Sequence, residues 1–163
     1  MSTSEEERER LQHIAQLRAD LPHYSGQINT SEEKLNKYAE DYEKYVTALG
    51  QLATVSKGVA GGQEDIVSGA RSLSNYAGGN KYSEALGAIS LVSGMFGAAA
   101  SSGVGSIIRY VQTDMLLLNE DYIKEYPKYT KAIEGYNKVA SQIRSLGGSC
   151  SNKEQKITKS SLA

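Results

Sequence analysis

The sequence predicts an all-α protein. It is expected to be a bundle of long amphipathic helices, two of them Tyr-lined and roughly antiparallel, with a central Gly/Ala/Ser-rich apolar helix or helical hairpin. Three observations predict this. Apolar residues return at alternating steps of three and four, the spacing of one helix face. Only two prolines, Pro22 and Pro127, interrupt the 163 residues. Eleven tyrosines, against one Phe and no Trp, supply most of the large side-chain volume. Each buried tyrosine ring brings a hydroxyl that needs a partner, so the seams they form are expected to be partly wet. A chain of this length is expected to make a single helical domain over 1–148, followed by a flexible polar tail over 149–163.

Ser4-x-x-Glu7 has the form of a capping box and opens a first helix over about 4–21. Its stripe is Leu11, Ile14, Leu17, Leu21, Tyr24 and Ile28, and a loop is expected from Pro22 to Asn29. Thr30-x-x-Glu33 opens a second helix in the same way. Its seam runs through Leu35, Tyr38, Tyr42, Tyr45, Leu49, Leu52, Ser56 and Val59 to a break at Gly61-Gly62. A shorter segment through Ile66, Val67, Ala70, Leu73 and Ala77 keeps helical spacing up to Gly78-Gly79. The last long seam is Met115, Leu118, Tyr122, Tyr126, Tyr129, Ile133, Tyr136, Ala140 and Ile143. Pro127 is expected to bend it or to remove one of its backbone hydrogen bonds, and Gly147-Gly148 end it. The two tyrosine seams resemble each other: Glu40-Asp41-Tyr42-Glu43-Lys44-Tyr45 recurs loosely as Glu120-Asp121-Tyr122-Ile123-Lys124-Glu125-Tyr126. Tyr38, Tyr42, Tyr45 and Leu49 on one helix, with Tyr122, Tyr126, Tyr129 and Tyr136 on the other, are the expected seam between them.

The chemistry of an enzyme is not written in this chain. His13 and His23 have no ligand at metal-binding spacing, no C-x-x-C or EF-hand pattern occurs, and Lys57-Gly58 lacks the residue order of a phosphate loop. No catalytic residue, metal, cofactor or small-molecule substrate is therefore expected. A net charge of −1 with no basic stripe argues against a nucleic-acid partner. The single Cys150, in a polar stretch near Lys153, rules out an internal disulfide and reads as an incidental exposed thiol. The opening residues are acidic, through Glu5, Glu6, Glu7 and Glu9, with no apolar run. The expectation is no cleaved secretory signal and a cytoplasmic start, with later release or membrane association compatible.

The unusual stretch lies in the middle. From Ala85 to Ile108, between Glu84 and Arg109, 24 consecutive residues carry no charge. As one helix that length reaches across a hydrocarbon core of about 30 Å, although its apolarity is borderline. Small residues recur at every fourth position, Ser90, Gly94, Ala98, Ser102 and Ser106, a stripe that lets helix backbones approach closely. Leu86, Ile89, Val92, Phe96 and Ile107 are the larger groups that accompany it. Gly87, Gly94, Gly97, Gly103 and Gly105 each cost about 0.5–1 kcal/mol of helical preference. Such a cost implies either close packing or a change of shape. Ala98-Ala99-Ala100-Ser101-Ser102-Gly103 is the expected turn if the segment is a hairpin.

Val55-Ser56-Lys57-Gly58-Val59-Ala60-Gly61-Gly62, then Ile66-Val67-Ser68-Gly69, then the run after Ala85, resemble the membrane-inserting region of apolipoprotein L-like proteins. Long amphipathic helices around an apolar Gly/Ala-rich hairpin are also similar to the haemolysin E-type α-helical pore-forming proteins. Those are longer chains, and the likeness covers residues 55–111 in style only. The resemblance implies a helical bundle that exposes an apolar hairpin and oligomerises in a bilayer. The expected function is thus a membrane-active helical protein, pore-forming or membrane-perturbing, acting as a homo-oligomer. The alternative is a soluble helical-bundle adaptor or a self-assembling coat or filament subunit with no membrane role.

Overall fold

In this computed structural model the chain forms two long helices, α1 (Ser2–Ser56) and α2 (Ala98–Ser145), and no strand occurs among the described residues. The structure describes residues 2–56 and 98–162, with side chains described over 4–49 and 109–162. The expected breaks at Gly61-Gly62 and Gly78-Gly79, the short segment around Ile66–Ala77, and Leu86, Ile89, Ser90, Val92, Gly94 and Phe96 lie outside the described residues. The chain divides into two compact units, Met1–Lys37 with Asp121–Leu162, and Tyr38–Glu120 with Ala163.

In the first unit α1 and α2 run in opposite directions. Arg10 Nη1 donates to Leu146 O at 2.9 Å, and Ser31 Oγ donates to Glu125 Oε1 at 2.9 Å, so ascending one helix descends the other. The facing rows keep a strict alternation of three and four. On α1 it reads Ile14, Leu17, Leu21, Tyr24, Ile28, Ser31 and Leu35, every one buried or half-buried. On α2 it reads Tyr122, Glu125, Tyr129, Ala132, Tyr136, Val139, Ile143 and Leu146, again buried or half-buried. A repeat of 3.5 residues is the seam of a coiled coil. Its apolar end is the cluster of Ile14, Val139 and Ile143, with Leu17, Leu21, Tyr24 and Leu146 packed against it. The Tyr24 ring lies directly over Gly135, where a Cβ would strike it. That close approach explains a glycine in the middle of a helix.

The loop expected from Pro22 to Asn29 is absent. α1 continues through Pro22, and Thr30 is an interior helical residue rather than a cap. Pro22 sits on the exposed side, where its ring removes one N–H while the row Leu21, Tyr24, Ile28 goes on packing against α2. Burial of that row outweighs one missing hydrogen bond, since helices in proteins are held mainly by the packing of an apolar face. α2 likewise runs on through Pro127. The turn expected at Ala98–Gly103 is also absent, because α2 begins at Ala98 and these residues are helical. Three consecutive alanines are the strongest local helix formers available.

Gly147 does end α2, as the sequence predicts. Its φ of +86° is the one positive value among the described residues. Gly148 N donates to Ile143 O at 2.9 Å and Gly147 N to Arg144 O at 3.0 Å, the bond pair of a Schellman turn. A Cβ on Gly148 would fall 2.6 Å from Ile143 Cγ2, so neither glycine tolerates a side chain.

In the second unit Val111, Tyr45 and Ala48 are buried, and Tyr45 Oη donates to Asp114 Oδ2 at 3.3 Å. Tyr38, Tyr42, Leu49, Met115 and Leu118 are half-buried. Lys44 pairs along its own helix with Glu40 at 3.5 Å and Asp41 at 3.9 Å. Val46, Tyr110, Leu116 and Leu117 remain exposed.

Gly147→Ala forces a side chain into a left-handed conformation and is expected to cost about 1 kcal/mol in urea unfolding. An unchanged midpoint would show that the turn does not hold the end of α2.

Candidate functional site

The polar groups of the first unit converge at mid-seam. Ser31 and Glu125 both occupy core positions of the heptad and are both buried. The Ser31 hydroxyl donates to Glu125 Oε1, while Lys128 Nζ stands 3.8 Å from Oε2. One position on, the ring of Tyr129 is fully buried and its hydroxyl has three partners. It donates to Glu32 Oε1 at 3.2 Å and accepts the backbone N–H groups of Lys156 at 3.0 Å and Ile157 at 3.3 Å. No buried side-chain nitrogen or oxygen among the described residues is left without a partner.

Those two N–H groups belong to the segment expected to be a flexible tail. Residues 149–162 instead lie extended along α2. Asn137 clasps the backbone of Lys153 from both sides, accepting from its N–H at 2.7 Å and donating to its carbonyl at 3.3 Å. Gln155 Nε2 donates to Tyr126 Oη at 2.8 Å, and Tyr122 Oη donates to Lys159 O at 2.7 Å. Arg144 Nη1 holds both Cys150 O and Asn152 Oδ1. Arg18 Nη2 reaches Ser149 O at 2.8 Å, and Lys153 Nζ sits 5.3 Å from the centre of the Tyr136 ring. Leu162 is buried at the end. Cys150, expected as an exposed thiol, is half-buried against the Ile14–Val139–Ile143 cluster.

Burial shapes the acid–base behaviour of this layer. It pushes the phenols of Tyr122, Tyr129 and Tyr136 above their ordinary value near 10. The two backbone N–H groups offset part of that rise at Tyr129, and Tyr126 and Tyr129 add to it at Tyr122.

Beside the layer an open cleft of about 720 Å³ runs between the helices, with Lys34, Lys128 and Lys131 at its edge and Glu125 within. Among the described residues no group of His, Cys, Asp and Glu could hold a metal ion. The Ser31 hydroxyl and the Glu125 carboxylate that accepts from it are both buried. What this arrangement does is fix one helix against another and a peptide segment against both.

Of the residues singled out in the sequence, Tyr122, Tyr126, Tyr129 and Tyr136 come together here. Tyr38, Tyr42, Tyr45 and Leu49 belong to the second unit. Ala98, Ser102, Ser106 and Ile107 lie in the first turns of α2. Sequence reasoning missed Ser31, Glu32, Glu125 and Asn137. The available signal was the strict heptad itself, which places Ser31 and Glu125 in phase with the apolar rows. Among the described residues no helix is long and apolar enough to cross a membrane.

No protein-family model matches this chain, and neither a curated protein nor a solved structure matches it. The resemblance to apolipoprotein L-like and haemolysin E-type proteins therefore rests on the quoted residues alone.

Ser31→Ala alone leaves a buried carboxylate short of a donor and is expected to cost about 1–3 kcal/mol. Ser31→Ala combined with Glu125→Leu removes both polar groups and should recover most of that loss. Additive losses in the urea midpoints of this cycle would refute the coupling. The raised phenols give a sign in pH. Above about pH 10 the unfolded chain gives up tyrosine protons that the folded chain retains, so stability is full below that value. It should fall as pH rises through the folded values. Tyr129→Phe should flatten the fall, and a midpoint independent of pH across that range would contradict it.

Proposed function

We propose that this chain is a membrane-active helical protein, in which the uncharged segment 85–108 enters or packs within a bilayer and the tyrosine-seamed helices brace it. The observation that carries the reading is the absence of any charge over the 24 residues between Glu84 and Arg109, in a chain of which 23% is charged. Desolvating a charge is expensive, and a stretch without one meets a low barrier on leaving water. The small-residue stripe Ser90, Gly94, Ala98, Ser102 and Ser106 supports association of such segments once in lipid, as an oligomer that perturbs or perforates the bilayer. The register-fixed seam supports a brace, because a coiled coil with a buried polar layer resists sliding. The role is non-catalytic, with lipid and further copies of the chain as partners.

A second reading is an adaptor or self-assembling subunit with no membrane role. It draws on Leu116 and Leu117, which are 62% and 53% exposed on the outer side of α2.

Flotation with lipid vesicles separates the two. The wild-type chain should float with vesicles and release an entrapped dye, and Val92→Asp with Phe96→Asp should abolish both. A chain that stays at the bottom of the gradient, or a doubly substituted chain that leaks dye as well as the wild type, would sink the membrane reading.

A further inference from the structure

α2 carries a second row that shares Tyr122, Tyr129 and Tyr136 with the one that meets α1 and adds Tyr126, Ile133 and Ala140. Tyr122, Tyr126, Tyr129, Ile133, Tyr136 and Ala140 follow the same alternating steps of four and three, and each is buried or half-buried. Such steps match another helix, whose side chains pass in a 3.5-residue repeat. An extended segment turns its side chains out on alternate sides and has no such period. Yet it is an extended segment that meets the tyrosines of this row, largely through its backbone. Residues 151–156 are all exposed, while Ile157 is half-buried and Leu162 buried. The tail's grip is the set of bonds from Tyr122, Tyr129 and Asn137 to its N–H and C=O groups.

The outer border of the row fits a further copy of the same helix. Ile123, Thr130 and Asn137 recur there every seventh residue and carry no charge, so two such faces can meet without like-charge repulsion. Ile123 adds an apolar side chain that is 46% exposed beside the covered row.

We propose that the row Tyr122–Ala140 is a docking face for the same row of a second copy of this chain, and that the C-terminal tail is its competitor. The tail wins at low concentration because it is tethered, with an effective concentration of order mM. Release of the tail exposes the row and pairs two copies about a two-fold axis. This goes beyond the membrane reading and needs no lipid.

Sedimentation equilibrium in lipid-free buffer tests it. A chain ending at Gly148, which keeps the closing turn of α2, should dimerise at least about ten-fold more tightly than the full chain. Excess peptide of residues 149–163 should return it to monomer, and Tyr126→Glu in the shortened chain should abolish the dimer. A shortened chain that keeps its helical circular dichroism and remains as monomeric as the full chain overturns the proposal. So does a dimer indifferent to Tyr126→Glu. Should the shortened chain lose helicity, the full chain carrying Asn137→Ala and Gln155→Ala takes its place, and an unshifted dimer constant there is equally fatal.

Discussion

The hydrogen bond between Ser31 and Glu125 is the constraint on which the first unit depends. Apolar rows alone leave two helices free to slide by a heptad, since Ile14, Leu21 and Ile28 would find comparable neighbours one repeat along. A buried carboxylate has no such freedom. Moved by one repeat, Glu125 would face the ring of Tyr24 or Tyr38, whose hydroxyl lies at the far end of the side chain and does not stand where Ser31 Oγ stands. The layer thus sets register by making every other alignment costly, while contributing little net stability. Everything that needs helix-to-helix accuracy follows from it, including the seat of Tyr24 over Gly135 and the reach of Arg10 to the end of α2.

Register in turn organises the tyrosines. A phenol buried at its ring end has one hydroxyl to satisfy, and Tyr129 satisfies it on two sides, through Glu32 of α1 and two amides of the tail. The same oxygen therefore ties three segments of chain. This explains why a chain with no Trp and one Phe can build its seam from tyrosine. The residue carries both the volume for packing and the polar tip for latching.

The sequence was legible where structure depends on side-chain period. The helical seams and the stop at Gly147-Gly148 follow from spacing and from glycine's access to positive φ. Pro22 misled because the local cost of proline is visible in a sequence, whereas the burial of Leu21, Tyr24 and Ile28 against α2 is not. Glu125 has no signal in the sequence because carboxylates are seldom buried, and its partner lies 94 residues away. The tail was the least legible part. Its contacts use backbone N–H and C=O groups, which every residue but proline carries, so its polar side chains say nothing about where it lies. The expected free end thus differs from the structure, which lays residues 149–162 along α2.

The Schellman turn at Gly147 sends the chain back alongside the helix it has just left, and the two then measure distance with different rulers. From Asn137 to Tyr122 the helix advances about 22 Å at its 1.5 Å rise. The tail covers the same ground from Lys153 to Lys159 at roughly 3.3 Å per residue. One tail residue therefore spans about two helical ones, like the scales of a vernier. Losing a single residue between Lys153 and Ile157 would misalign Tyr129 and Tyr122 together, so this stretch is constrained in length far more than in side-chain identity.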